Sequence, residues 1–306
     1  MPTTTFFFRL FRASQIVLVV VLLTSSCTVL QWRASDNEIL EKFNTLNIAT
    51  EISYLKVDSL DLKIRVQQIS SKENRVNVVF FHGSPSSLSA WDKYLTDTTL
   101  AKKANLIAID RPGYGYSNFG DEMVSIDQQA QLMSNLINAY DLTNIIAVGS
   151  SYGGPLAARL AILNKKVKAV IMISPAIDPE VEKKIWGSRL TQWWTTRWLV
   201  PTGYRVAGDE KTVHARELAL LKNDWKTLDI PVVHIHGDID DLVPYENIAF
   251  SQANFKDITI ITTPNTGHEI AWAKPHLIIP HLTERIDSLE KTIETQITTK
   301  REIGLN

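Results

Sequence analysis

Residues 144–163 read NIIAVGSSYGGPLAARLAIL, and this stretch decides the fold. NIIAV is a short, almost wholly apolar run, the pattern of a buried strand. GSSYGG follows as a turn, and PLAARLAIL continues as a helix. The turn fits G-x-S-x-G with Ser151 at its centre. A nucleophile at such a sharp strand-to-helix bend is lifted above the sheet, and the flanking glycines accept strained angles without crowding it. The helix N-terminus beside it favours negative charge. The pentapeptide alone is a weak signal. Its strand–turn–helix setting makes it a specific one.

Outward from this turn, buried strands and helices alternate. Residues 105–109 (NLIAI) and 76–81 (VNVVFF) are nearly continuous apolar runs, ending in DRPGYGYS and HGSPSS. Residues 52–57 and 62–69 alternate apolar and polar around DSLD, which predicts a hairpin of half-exposed strands. Ile126, Ala130, Met133, Ile137 and Tyr140 recur at helical spacing, and Ser125 with Gln128 makes a capping box at the start. Further strands begin at Val167 (VKAVIMI), Pro231 (PVVHIHG) and Ile258 (ITIITT). This order predicts an α/β fold with a mostly parallel sheet and helices on both faces. Residues 175–227 break the rhythm. They lack a strand pattern and hold Trp186, Trp193, Trp194, Trp198 and Trp225, five of the eight tryptophans. Too long for an ordinary connection, they predict a small helical cap above the strand ends. Its tryptophans would form the cap's own core or face a substrate.

The chain has 306 residues, with 32 Lys and Arg against 33 Asp and Glu, a net charge of −1. That balance argues against a nucleic-acid partner, which calls for a basic excess or stripe. With 44% hydrophobic residues the chain can bury a sizeable core, and its single Cys excludes a disulfide framework. Oligomeric state leaves no mark in the sequence.

The N-terminus differs from the rest. Arg9 and Arg12 precede the apolar run IVLVVVLL (16–23), and small polar residues lead from it to Cys27. Eight apolar residues are too few to span a bilayer, which needs about 20. The layout is that of a secretory signal peptide over 1–26. LTSSC resembles a bacterial lipobox, although Leu23 stands four residues before Cys27 where a lipobox has Leu at three. The expectation is an exported envelope protein, anchored to the membrane by a lipid on Cys27, with residues 27–50 as a polar tether and 51–306 as the globular domain. An ordinary cleaved signal, giving a periplasmic or secreted protein, and an uncleaved anchor are the alternatives.

Four motifs, HGSP, DRPGYGYS, GSSYGG and the pair HGDIDDLVP with NTGHE, occur in one order, and together they resemble the α/β-hydrolase superfamily from about residue 52 to the C-terminal helix. The resemblance implies a triad in the order nucleophile, acid, histidine: Ser151, Asp240 and His268. Asp240 is the family's position because it stands four residues before Pro244 in D-x-x-V-P; Asp238, Asp241 and Asp178 are the other candidates. The resemblance also implies an oxyanion hole from the backbone N–H groups of Tyr152 and Ser84, with His82 bracing the latter's loop. Asp110 and Arg111 are expected to tie loops together as a structural pair. His234 and His236 point the same way on one strand and could bind a metal, but no third ligand stands at sensible spacing, so neither metal nor cofactor is expected.

A serine at 151 separates the chain from related epoxide hydrolases and haloalkane dehalogenases, which carry Asp there. The expected activity is a carboxylesterase-like serine hydrolase acting on an ester or amide of a small, partly apolar molecule. Prolyl-aminopeptidase-like and carbon–carbon bond hydrolysis stay open on the same triad, although proline-cleaving relatives read HGGPG where this chain has HGSPS. An acyltransferase would look the same in sequence. A non-catalytic binding protein is the reading from another class.

Overall fold

Eight strands form one sheet in the computed structural model, which describes residue 15 and residues 32–57, 61–184 and 186–302. The expected signal segment, apart from residue 15, and Cys27 lie outside the described residues. The strands are β1 (Glu51–Val57), β2 (Leu62–Ile69), β3 (Asn77–Phe81), β4 (Asn105–Ile109), β5 (Ile145–Ser150), β6 (Val167–Ile173), β7 (Val232–Gly237) and β8 (Ile258–Thr263). Their order is β1-β2-β4-β3-β5-β6-β7-β8. β1 and β2 are an antiparallel hairpin, β2 is antiparallel to β4, and every pairing from β4 to β8 is parallel. This is the α/β-hydrolase fold.

β3, β5 and β7 are buried along their whole length. Successive side chains of a strand face opposite ways, and both faces are covered. Val79 and Phe81 enter an apolar cluster with Met133, Leu136, Leu156 and Leu160, from α4 (Ile126–Ala139) and α5 (Gly153–Leu163). Val78 and Phe80 enter a second cluster with Trp91, Tyr94, Leu282 and Ile286. Those last four come from a 3-10 turn (Leu88–Trp91), α2 (Asp92–Leu95) and the long α11 (Ile279–Glu302), beside which α3 (Thr98–Lys103) packs. β8 is an edge strand and only partly buried.

Two features depart from the sequence reading. Part of the stretch read as a tether is α1 (Asp36–Thr45), closed by a capping box in which Ser35 and Glu38 each take the other's backbone N–H. Its Ile39 and Phe43 are buried in the second cluster, so this segment is docked on the domain. β2 is also not half-exposed. Its Arg65 is 1% exposed, with Nη1 donating to Ala34 O at 2.9 Å and Nη2 lying 2.6 Å from Asp36, because the segment before and within α1 covers it.

Between β6 and β7 the described chain is helical: a 3-10 turn (Trp186–Ser188), α6 (Arg189–Gln192), α7 (Trp194–Arg197), the 20-residue α8 (Thr202–Leu221) and a last turn (Trp225–Thr227). α9 (Asn247–Asn254) follows β7, and α10 (Ile270–Ala273) follows β8. No described helix is long and apolar enough to cross a membrane.

Candidate active site

Ser151 follows β5 directly and has φ +55°, in the left-handed region that a non-glycine residue rarely adopts. The strain is held by hydrogen bonds: Ser151 N donates to Ile173 O at 2.9 Å, and Gly154 N donates to Ser151 O at 3.0 Å. The bend needs its glycines. A Cβ on Gly149 would lie 1.9 Å from Gly153 O, and one on Gly153 would lie 2.2 Å from Phe81 O.

Asp240 and His268 come from the loops after β7 and β8. These loops are laced together: Ile239 N donates to Thr266 O at 3.2 Å, and Thr263 Oγ1 to His236 O at 3.1 Å. His268 Nδ1 thereby donates to Asp240 Oδ2 at 2.8 Å. Asp238 accepts only from Thr266 N at 3.4 Å, Asp241 is exposed, and Asp178 accepts from Glu180 N in its own turn. Of the four acids weighed from the sequence, the structure brings Asp240 to His268. Burial raises the Asp240 pKa, but His236 Nε2, 3.5 Å from Oδ2, and the hydrogen bonds from His268 and Val243 N outweigh it and hold the carboxyl well below its ordinary value. Ser151 and His268 line one cavity of about 790 Å³, together with Gly83, Ser84, Leu242 and Trp272.

Comparisons with known proteins bear on the fold. The family pattern described as alpha/beta hydrolase fold matches residues 76–202. A stretch of 97 residues is 36% identical to the multifunctional-autoprocessing repeats-in-toxin of Vibrio cholerae serotype O1, covering 31% of this chain and 2% of the toxin's length. The non-heme chloroperoxidase CPO-A1 of Kitasatospora aureofaciens is 25% identical over 209 residues, 55% of this chain and 76% of its own. The crystal structure of a membrane phospholipase A aligns with a TM-score of 0.62 at 17% identity, over 92% of this chain and 99% of its own, a likeness of fold. Residues 76–202 thus carry the α/β-hydrolase family pattern on an α/β-hydrolase fold.

The two expected oxyanion residues are held by one buried network. Tyr152 is the N-cap residue of α5, at the end where backbone N–H groups have no intrahelical acceptor. Its ring lies under the Arg111 guanidinium, 4.3 Å away, and against His214 at 4.7 Å. Arg111 donates to His82 O at 3.0 Å and Gly83 O at 3.1 Å, clamping the loop that leads to Ser84. His82 braces the same loop: its Nδ1 is 2.7 Å from Gly83 O, and its Nε2 accepts from Arg111 N at 3.0 Å. Burial first, then the Arg111 charge, lower the His82 pKa and keep the ring neutral. Tyr114 OH donates to Glu210 Oε2 and lies 2.7 Å from Ser84 Oγ. Glu210 of α8, 1% exposed, also takes Arg111 Nη1 at 2.6 Å.

Glu210 was not singled out in the sequence, and nothing local marks it, since Arg111 lies 99 residues away. Arg111 and Asp110 are not each other's partners. Asp110 instead ties Leu88 N and Tyr116 N, at 2.8 and 3.0 Å. His234 and His236 use all four ring nitrogens in a chain from Ser251 through both rings to Val243 O. Among the cap tryptophans Trp225 is buried, whereas Trp186, Trp193, Trp194 and Trp198 are 77, 59, 87 and 56% exposed. These four form neither a cap core nor part of the cavity wall, whose tryptophans are Trp32 and Trp272.

Proposed function

We propose that the chain is a serine hydrolase that cleaves carboxylic esters through an acyl-enzyme. One observation carries the reading: a serine on a positive-φ elbow shares a cavity with a histidine whose Nδ1 is bonded to a buried carboxylate. With Nδ1–H directed at Asp240, His268 keeps the Nε2 lone pair for the Ser151 proton. Ser151 Oγ then attacks the carbonyl carbon, and the oxyanion is met by the N–H groups of Tyr152 and Ser84. His268 returns the proton to the leaving alkoxide, and water repeats the sequence to release the acid. We further propose export to the cell envelope, with a lipid on Cys27 as the anchor.

The test is a panel of chromogenic acyl esters of varied chain length beside Pro- and Ala-amides, with an active-site fluorophosphonate as label. Ser151→Ala should lower ester hydrolysis by about 10³-fold or more and abolish labelling while leaving the protein folded. Ordinary activity in Ser151→Ala would sink the reading. Faster turnover of the Pro-amides would move it to the peptidase alternative.

A further inference from the structure

Four tryptophans standing in water are unusual, since exposed apolar patches mark interaction sites. Trp186, Trp193, Trp194 and Trp198 occur within 13 residues of the cap, in consecutive short helical pieces, and each is more than half exposed. The same segment is basic. Residues 183–198 contain Lys183, Lys184, Arg189 and Arg197 and no acid, in a chain whose net charge is −1. Arg197 is spent on Asp209 at 2.7 Å and Lys183 on Asp241 O, which leaves the exposed Lys184 and Arg189 facing outward. Tryptophan with free cationic side chains suits one environment especially well. Indole settles at the headgroup level of a bilayer, and lysine and arginine are attracted to anionic lipid there.

The chain before the domain points to the same side. The described residues resume at Trp32, whose ring packs 5.0 Å from that of Tyr204 in α8 and which lines the cavity holding Ser151. Cys27 is therefore five residues from the cavity, a reach of about 17 Å fully extended. Tyr204, Leu242 and Trp272, all exposed, also line this cavity and form its apolar rim.

We infer that the cap segment 183–198 is a membrane-interface surface that seats on an anionic phospholipid bilayer and turns the mouth of the Ser151 cavity toward the lipid, so that the substrates are acyl esters drawn from the bilayer. The substrate class rests on the esterase reading. The surface does not.

The full chain is reconstituted in phosphatidylcholine vesicles with and without phosphatidylglycerol, some carrying lipids brominated near the acyl carbonyl. Bromine should quench tryptophan emission, more strongly with phosphatidylglycerol present. Replacing Trp186, Trp193, Trp194 and Trp198 together by Ser should remove most of that quenching. Lys184→Glu with Arg189→Glu should remove its dependence on phosphatidylglycerol. Both variants should hydrolyse a short, water-soluble ester at the wild-type rate, which also reports their folding. On a vesicle-embedded ester the tryptophan variant should be slower by about tenfold, a loss of orientation and not of chemistry. Unchanged quenching in the tryptophan variant, or failure of the wild type to bind anionic vesicles, overturns the surface. So does a photo-crosslinker at position 194 that captures a protein in cells instead of lipid. Quenching as expected without Ser151-dependent ester hydrolysis leaves the surface standing and overturns the esterase reading.

Discussion

Asp240 divides its two carboxylate oxygens between two tasks. Oδ1 accepts the N–H groups of Leu242 and Val243 at 2.9 and 2.8 Å and closes the loop, while Oδ2 takes His268 Nδ1 at 2.8 Å. An asparagine keeps an oxygen for the loop but offers an NH₂ where the imidazole needs an acceptor. Asp240→Asn should therefore fold normally and lose about 10⁴ in kcat on a soluble ester, with the imidazole held in the wrong tautomer. Asp238→Asn should cost little, because Asp238 Oδ1 meets only Thr266 N at 3.4 Å. Steady-state kinetics on both variants check the pair. A costly Asp238→Asn would move the acid by two residues.

At the scale of elements, α8 is more than a roof. It delivers Glu210 into a site where Arg111, 0% exposed, already holds the carbonyls of His82 and Gly83. Removing one partner of such a buried pair leaves an uncompensated charge, at a cost of about 3–5 kcal/mol. Glu210→Gln should lose that much stability in urea unfolding. A cycle with Arg111→Met should be clearly non-additive, since the two side chains touch. Ser84 and Tyr152 connect to this pair through Tyr114 and through ring stacking. In Glu210→Gln, kcat should accordingly fall more than KM rises.

The whole molecule carries a built-in sensitivity to acid. His82, His214 and His234 are buried, and burial lowers each pKa, joined for His82 by the Arg111 charge and for His234 by His236. Below about pH 6.5 the unfolded chain binds protons that the folded one refuses, so stability is complete above that value and falls as the pH drops toward the folded pKa values. Each histidine contributes a slope of about 1.4 kcal/mol per pH unit. Asp240 acts in the same direction at lower pH: its depressed pKa adds stability above the unfolded value of about 3.9, lost as the pH falls through the folded one. Denaturation midpoints measured from pH 7.5 to 5 should fall steeply below pH 6.5, and His234→Asn should flatten the fall by about one histidine's slope. An unchanged slope in that variant would mean that His234 is protonated in the folded state.

Much of this architecture is written in local patterns. Apolar runs such as 76–81 and 144–148 can satisfy both faces only between layers of helix, and G-x-S-x-G after such a run permits the bend that strains Ser151. The helix docked before β1 was partly legible too, since Ser35 and Glu38 form a capping box. Ile39, Phe43 and Leu46 also stand at i, i+4 and i+7, an apolar stripe that separates α1 from a structureless tether. Other features depend on chain segments far apart in sequence. Whether Asp238, Asp240 or Asp241 meets His268 depends on how two loops lace together, and all three are plausible turn residues. Arg111 finds Glu210 only because the cap closes over the sheet. The tryptophans of 186–198 have a composition that fits a core equally well. Only packing distinguishes Trp225, which is enclosed, from the four that are left in solvent, because burial depends on what the rest of the chain brings against a residue.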